Sequence, residues 1–266
     1  MSFQALYTAA AGMSALQSKL DVIANNIANS ETTGFKSSRA NFEDLFYRQE
    51  KLPGQTDSTG LFTPTGIAFG TGSRVQSTQM NFAQGSLQQT GNQLDVAIQG
   101  QGLFQIKDPS GTIYYTRAGN FSKNAAGQLV VGSANIGRLV QPEITIPQDA
   151  TNVSITSDGK VLYQTSTSAT QQQAGQIQLA NFINPQGLLQ LGENLYGETE
   201  ASGTAQLNNP GISGTGTLQQ ASLENSNVDP VSSLIDLITT QRSYEMNSQA
   251  IHAGDQALQT VNGLIR

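Results

Sequence analysis

Apolar residues step through the first thirty positions at alternating intervals of three and four: Leu6, Ala9, Met13, Leu16, Leu20, Ile23 and Ile27. That is a heptad seam, the period that winds helices into a left-handed coiled coil. Lys19 and Asp21 are the only charges in the interval, and Ala9, Ala10, Ala11, Gly12 and Ala15 add almost no bulk. A neighbouring helix can therefore approach closely. A helix from Ser2 to Asn29 would be roughly 40 Å long, and Thr33-Gly34 supplies its stop.

The far end repeats the pattern. Asp229-Pro230 is a start signal, since Asp caps free amides and Pro is pre-set for the first helical position. Leu237, Tyr244, Ile251, Leu258 and Ile265 then fall one heptad apart, with Leu234, Ile238 and Val261 widening the stripe. The intervening seam positions Gln241, Ser248, Asp255 and Asn262 are polar, a defect in a two-stranded coil but usable in a crowded bundle. Terminal helices that pair and close a monomer are the ordinary reading. Both helices, however, carry few charges on any face, and such helices are normally buried, which favours self-assembly.

Between the ends the period drops to two. Leu94, Val96 and Ile98 alternate, and Leu103, Phe104 and Ile106 lead through Asp108-Pro109-Ser110-Gly111 into Ile113, Tyr114 and Tyr115, a hairpin. Turns at Asn124–Gly127 and Ser157–Lys160 separate Leu129-Val130-Val131, Ile144-Thr145-Ile146, Val153-Ser154-Ile155 and Val161-Leu162-Tyr163. Ile177, Leu179 and Phe182 form one more strand. The expected fold is α+β: long N- and C-terminal helices (1–30 plus 229–266) pairing as a coiled coil, a central all-β domain (94–199), and extended connectors (31–93 plus 200–228). The connectors are rich in Gly, Ser, Thr and Gln, and in a polymer they could order against neighbours.

Composition sharpens this. Only 12% of the 266 residues are charged, about half the usual share of roughly 25%, so amides and hydroxyls make the surface. That surface is weakly hydrated and suits burial against copies of itself. Thirteen basic and 19 acidic residues give a net charge of −6, which argues against a nucleic-acid partner. No stretch is apolar enough for membrane insertion. The first positive charge is Lys19, so no secretory signal is expected at the N-terminus. Without cysteine and with one histidine, His252, no metal site and no thiolate chemistry are expected.

Candidate catalytic chemistry fails residue by residue. A Ser–His–acid set would need His252, which lies inside the predicted C-terminal helix, and no Gly-x-Ser-x-Gly elbow occurs. Gly100-Gln101-Gly102 resembles the start of a dinucleotide fingerprint, but a strand follows where a helix is required. Glu193, Glu198 and Glu200 cluster without a cleft to face each other across. The expectation is no enzyme and no cofactor.

Two end motifs are specific. Leu20-Asp21-Val22-Ile23-Ala24-Asn25-Asn26-Ile27-Ala28-Asn29 with Thr32-Thr33-Gly34-Phe35-Lys36, and Ser226-Asn227-Val228-Asp229 with Gln241-Arg242-Ser243-Tyr244-Glu245-Met246-Asn247, resemble the paired signatures of the bacterial flagellar rod and hook family. Gly100–Phe104, Tyr115-Thr116-Arg117, Asn181-Phe182, Asn184–Leu188 and Asn194-Leu195-Tyr196 with Ala201-Ser202-Gly203 extend the resemblance across nearly the whole chain. Length and the developed middle are most like the distal-rod members. The stretch Phe46 to about Gly66, with Tyr47, Arg48, Pro53 and Gly54, resembles the extra segment of straight distal rods.

The resemblance implies a structural subunit of a hollow helical homopolymer crossing the periplasm, a drive shaft carrying torque to the hook. It implies export through the flagellar type III apparatus without a cleaved signal. Implied partners are proximal rod and hook subunits and the surrounding basal-body rings. The expected self-assembly interface is Leu6, Met13, Leu16, Leu20, Ile23 and Ile27 against Leu237, Tyr244, Ile251 and Leu258, with Asn25, Asn26, Asn29, Gln241 and Arg242 as polar partners. A proximal-rod or short hook subunit, a monomeric β-domain binding protein with a helical stalk, and a cell-wall hydrolase are the alternatives.

Overall fold

The computed structural model describes residues 3–56, 60–131, 137–165 and 168–264. The chain is α+β and divides into two compact units: Met1–Ala28, Ser38–Met80 and Asp229–Arg266 form unit 1, and Asn29–Ser37 and Asn81–Val228 form unit 2.

Unit 1 contains helices α1 (Phe3–Ala28) and α2 (Pro230–Leu264). Helix α2 begins where Asp229-Pro230 predicts. The Val231 amide donates to Asp229 Oδ1 at 3.0 Å, the Ser232 hydroxyl to Oδ2 at 2.6 Å, and the Ser233 amide to the Asp229 carbonyl at 3.0 Å. The Val231 bond satisfies an amide that a helix start leaves without a partner and the Ser233 bond is the first turn of the helix itself, while the Ser232 and Val231 donors hold the Asp229 carboxyl below its ordinary range.

The two helices touch at small residues. A Cβ at Gly254 would lie 2.6 Å from Leu6 Cδ2, and one at Gly12 would lie 3.5 Å from Asn247 Nδ2. Those contacts make the helices antiparallel, with Leu16 about level with Tyr244 and Ile23 about level with Leu237.

Residues 38–80, expected as connector, form two antiparallel ladders. Strands β1 (Ser38–Asp44), β2 (Tyr47–Lys51), β3 (Ile67–Gly70) and β4 (Ser73–Met80) pair as β1 with β4 and β2 with β3. Gly72, at φ +119°, brings the turn before β4 against Ala11 and Thr8 of α1. Asn26 fixes the start of β1: its Nδ2 donates to the Ser38 carbonyl at 2.7 Å, and its Oδ1 accepts from the Ser38 amide at 2.9 Å. The side-chain amide thus stands in for a neighbouring strand.

Unit 2, among its described residues, is β-rich, with one 3-10 turn at Pro185–Gly187. Its strands are β5 (Leu87–Gln89), β6 (Val96–Gln99), β7 (Leu103–Lys107), β8 (Ile113–Thr116), β9 (Phe121–Lys123), β10 (Leu129–Val131), β11 (Arg138–Gln141) and β12 (Ala150–Ile155). There follow β13 (Lys160–Thr165), β14 (Ser168–Gln176), β15 (Leu179–Asn181), β16 (Leu189–Gly192), β17 (Leu195–Gly197), β18 (Gln206–Asn208), β19 (Thr217–Gln220) and β20 (Ser222–Glu224). A nine-stranded sheet runs β16-β17-β8-β7-β11-β10-β9, with β15 joining β7 to β18. A three-stranded sheet β12-β13-β14 and the pairs β19–β6 and β20–β5 complete it.

The expected hairpin around Asp108–Gly111 is the β7–β8 pair, and the turns at Asn124–Gly127 and Ser157–Lys160 join β9 to β10 and β12 to β13. Ile144-Thr145-Ile146, expected as strand, makes only an isolated bridge from Thr145 to Gln128. Pro142 has no amide for the ladder. Ile144 and Ile146 are nonetheless buried in the core with Val96, Ile98, Phe104, Phe121, Leu129, Val140 and Leu179.

Candidate functional site: a helix pair, an exposed hairpin and a buried charge hub

On α1, Ala15 and Ile23 are buried, while Leu6, Met13, Leu16, Leu20 and Ile27 are half-buried. On α2, Leu237, Tyr244, Ile251 and Leu258 are half-buried, Gln241 and Arg242 are exposed, and Thr240 is buried. Within one chain, Asn26 is committed to Ser38, Asn29 Oδ1 accepts from Thr32, and Asn25 is exposed. Sequence reading underweighted a second apolar stripe. Val231, Leu234, Ile235 and Ile238 stand at i, i+3, i+4 and i+7 on α2, and all four are exposed, Val231 by 67% and Ile235 by 57%.

The segment containing Tyr47, Arg48, Pro53 and Gly54 is a long hairpin. Beyond β2 and β3 it continues through Gly54 donating to Thr63 and Thr63 donating to Gln55, each at 2.9 Å, and a bridge from Thr56 to Phe62. It carries Phe46 (94% exposed), Tyr47, Leu61, Phe62, Ile67 and Phe69 on its surface. Single exposed apolar residues are ordinary, but a run this dense is not.

Unit 2 holds a feature that no spacing announced. Lys36, Arg117 and Glu224 are all buried and meet as one ionic hub. Lys36 Nζ donates to Glu224 Oε1 at 2.7 Å and to the Ala83 carbonyl at 2.8 Å. Arg117 Nε donates to Glu224 Oε2, and its two terminal nitrogens reach the carbonyls of Gly102, Ile98 (3.0 Å) and Gly100 (2.6 Å). The Gly85 amide donates to Glu224 Oε1 at 2.9 Å, and the Gly34 amide to the Glu224 carbonyl at 2.8 Å. Nearby, the Asn227 side chain accepts from the Ser37 amide at 2.7 Å and donates to the carbonyls of Asn81 and Ala83. Residues 29–37 and 222–228 are thereby bound into the β unit.

The hub explains Gly100-Gln101-Gly102. Gly100 and Gly102 sit at φ +112° and +130°, a region that favours glycine. Their carbonyls converge on the Arg117 guanidinium. A phosphate loop would direct amides at its ligand; this loop directs oxygens at a cation.

Burial pushes the Glu224 carboxyl up, but Arg117 and then Lys36 outweigh it and hold it below the ordinary range. Burial also pushes the Lys36 ammonium down, outweighing Glu224. Tyr196, beside these groups, is pushed up to about 12, chiefly by burial. A carboxyl lowered in the folded state contributes stability above its unfolded pKa of about 4.3 and loses it as pH falls through the folded value. The urea midpoint of unit 2 is therefore expected to drop once pH falls below about 4. A midpoint that holds from about pH 6 to about pH 2 would refute the electrostatic account.

The other candidates resolve into ordinary surface. His252 is exposed on α2, and Glu193, Glu198 and Glu200 are exposed. Glu193 pairs with Arg138 at 2.6 Å, and the Tyr115 hydroxyl donates to Glu198 at 3.3 Å. A 350 Å³ pocket beside the hub is lined by Lys36, Phe82, Gly102, Arg117, Phe182 and neighbours, with no carboxylate or histidine among them. Among the described residues, no helix is long and apolar enough to cross a membrane, and no three His, Cys, Asp or Glu side chains are placed to hold a metal ion.

Three family profiles match the chain: the flagella basal body rod protein over residues 6–36, the flagellar hook protein FlgE/F/G D1 domain over 97–163, and the flagellar basal body rod FlgEFG protein C-terminal region over 219–264. The flagellar basal-body rod protein FlgG of Caulobacter vibrioides is 49% identical over 98% of this chain and 99% of its own. The FlgG proteins of Borreliella burgdorferi and Bacillus subtilis are each 40% identical over 99% of both chains. Lys36, Glu224 and the start of α2 at Pro230 all lie inside matched regions. The chain belongs to the flagellar basal-body rod protein family, in its FlgG branch.

Proposed function

We propose that this chain is a structural subunit of the flagellar distal rod, polymerising into a hollow helical drive shaft that carries torque across the periplasm to the hook. The observation that carries this reading is identity of 40–49% to FlgG rod proteins along essentially the full chain. The exposed apolar stripe on α2 and the exposed aromatic hairpin support it, because each leaves apolar surface in water that a polymer would cover.

In the rod, α1 and α2 pack with those of neighbouring copies as an inner coiled-coil tube. Leu6, Met13, Leu16, Leu20, Ile23 and Ile27 meet Leu237, Tyr244, Ile251 and Leu258 there, with Asn25, Asn26, Asn29, Gln241 and Arg242 at its polar positions. The hairpin bearing Tyr47, Arg48, Pro53 and Gly54 braces adjacent copies. A heterologous contact that does not close yields such a filament. Proximal rod and hook subunits meet its two ends, basal-body rings surround it, and the type III apparatus exports the chain. Its role is structural, with no reaction and no cofactor.

Deleting the gene in its source organism and imaging isolated basal bodies tests the assignment. A rod stub lacking its distal part is the expected result. A complete rod without a hook would move the subunit outward, and loss of all rod would move it inward. Motile cells with intact basal bodies would overturn the reading.

A further inference from the structure

The hub joins segments that are far apart in the chain. Lys36 and Glu224 are 188 residues apart, and Arg117 and Glu224 are 107 apart. The buried apolar cluster of unit 2, by contrast, lies wholly between Val96 and Leu218. Its apolar material is complete before residue 224 is reached. One carboxylate serves two buried cations, so the hub is asymmetric. Without Lys36, an Arg117–Glu224 pair remains in balance. Without Glu224, two cations remain in a buried site with only carbonyl oxygens to face, and an uncompensated buried charge is strongly destabilising.

We propose that Glu224 is the closing charge of a folding gate: unit 2 reaches its folded state only after the segment bearing Glu224 has docked, although its apolar core contains no residue beyond 218. Chains are made amino-terminus first, so Lys36 and Arg117 emerge long before their counter-charge. A chain in that condition holds two cations that the closed core cannot accept, and it stays open. Docking of residues 222–228 delivers the carboxylate, the Gly34–Glu224 main-chain bond and the Asn227 clasp together. The inference concerns the folding of one chain and stands whether or not the rod assignment does.

Peptide-resolved amide exchange on the full chain tests it with Glu224→Gln, Lys36→Met and the double variant. Glu224→Gln is expected to reduce protection at least about a hundredfold across β7, β10 and β13, as well as at residues 29–37 and 222–228. Lys36→Met is expected to leave β7, β10 and β13 protected. Combining it with Glu224→Gln is expected to restore at least about tenfold of the lost protection, because one buried cation has been removed. Loss confined to 29–37 and 222–228 would overturn the gate and leave a local clasp. Core loss that Lys36→Met does not relieve would also overturn it, since the cause would then be shape and not charge.

Discussion

Gly119→Ala is expected to destabilise unit 2 by on the order of 3 kcal/mol or more, the upper end for overpacking a closed core. A Cβ at that position would lie 1.7 Å from the Val96 carbonyl oxygen and 3.3 Å from the Phe104 ring. Neither neighbour can yield cheaply. Val96 and Phe104 are both fully buried, and the Val96 amide donates to the Gly119 carbonyl at 3.0 Å. Val96 is also held from its other side by the ladder to Gln220. Relief would have to move the backbone of β6, anchored at both edges, or that of Gly119 itself, two residues downstream of Arg117. Gly137→Ala is the control, because its new Cβ would meet Val130 at an ordinary 3.8 Å. Urea unfolding of both variants, read as midpoint shifts, decides the matter. A Gly119→Ala midpoint within experimental scatter of Gly137→Ala would refute the close approach.

What could be read from sequence was the local chemistry. The start of α2 was legible because Asp229 caps amides only two and three residues away, and the turns at Asp108–Gly111 and Asn124–Gly127 were legible because turn residues act on their own backbone. Strands β1 to β4 were not legible, because Ser38 pairs with Met80 and nothing within either segment names the partner. The failure at Ile144–Ile146 has a different origin. Alternation reported burial correctly, but burial does not require a ladder. The hub was the least accessible feature. Lys36 and Arg117 stand inside motifs that carried the family resemblance, yet Glu224 stands in none of them, and a charge has no periodicity to betray a partner 107 or 188 residues away. Asn26 belongs with the hub. Its place in the α1 motif was legible, but the Ser38 main chain that its amide pairs with was not.

The second large effect separates folding from assembly. Ile235→Asp combined with Ile238→Asp is expected to leave the monomer's stability within about 0.5 kcal/mol, the usual range for surface positions. Both side chains are about half exposed, 57% and 48%. In the polymer the same stripe would be covered. Full burial of an isoleucine is worth about 1.5–3 kcal/mol, and assembly would cover only the exposed half of each, so losing two of them costs roughly 1.5–3 kcal/mol per contact, before the penalty for burying a carboxylate. At 1.4 kcal/mol per factor of ten, the critical concentration for assembly should rise at least about tenfold. Sedimentation of purified protein over a concentration series reads that number directly. Ile23→Asp makes the contrasting case: Ile23 is only 7% exposed within a single chain, so its replacement should unfold the helix pair first and abolish assembly as a consequence. Normal filaments from the Ile235/Ile238 double variant would mean that the α2 stripe is not a contact between copies. The exposed hairpin at Phe46 and Phe62 would then be left as the principal apolar surface available for assembly.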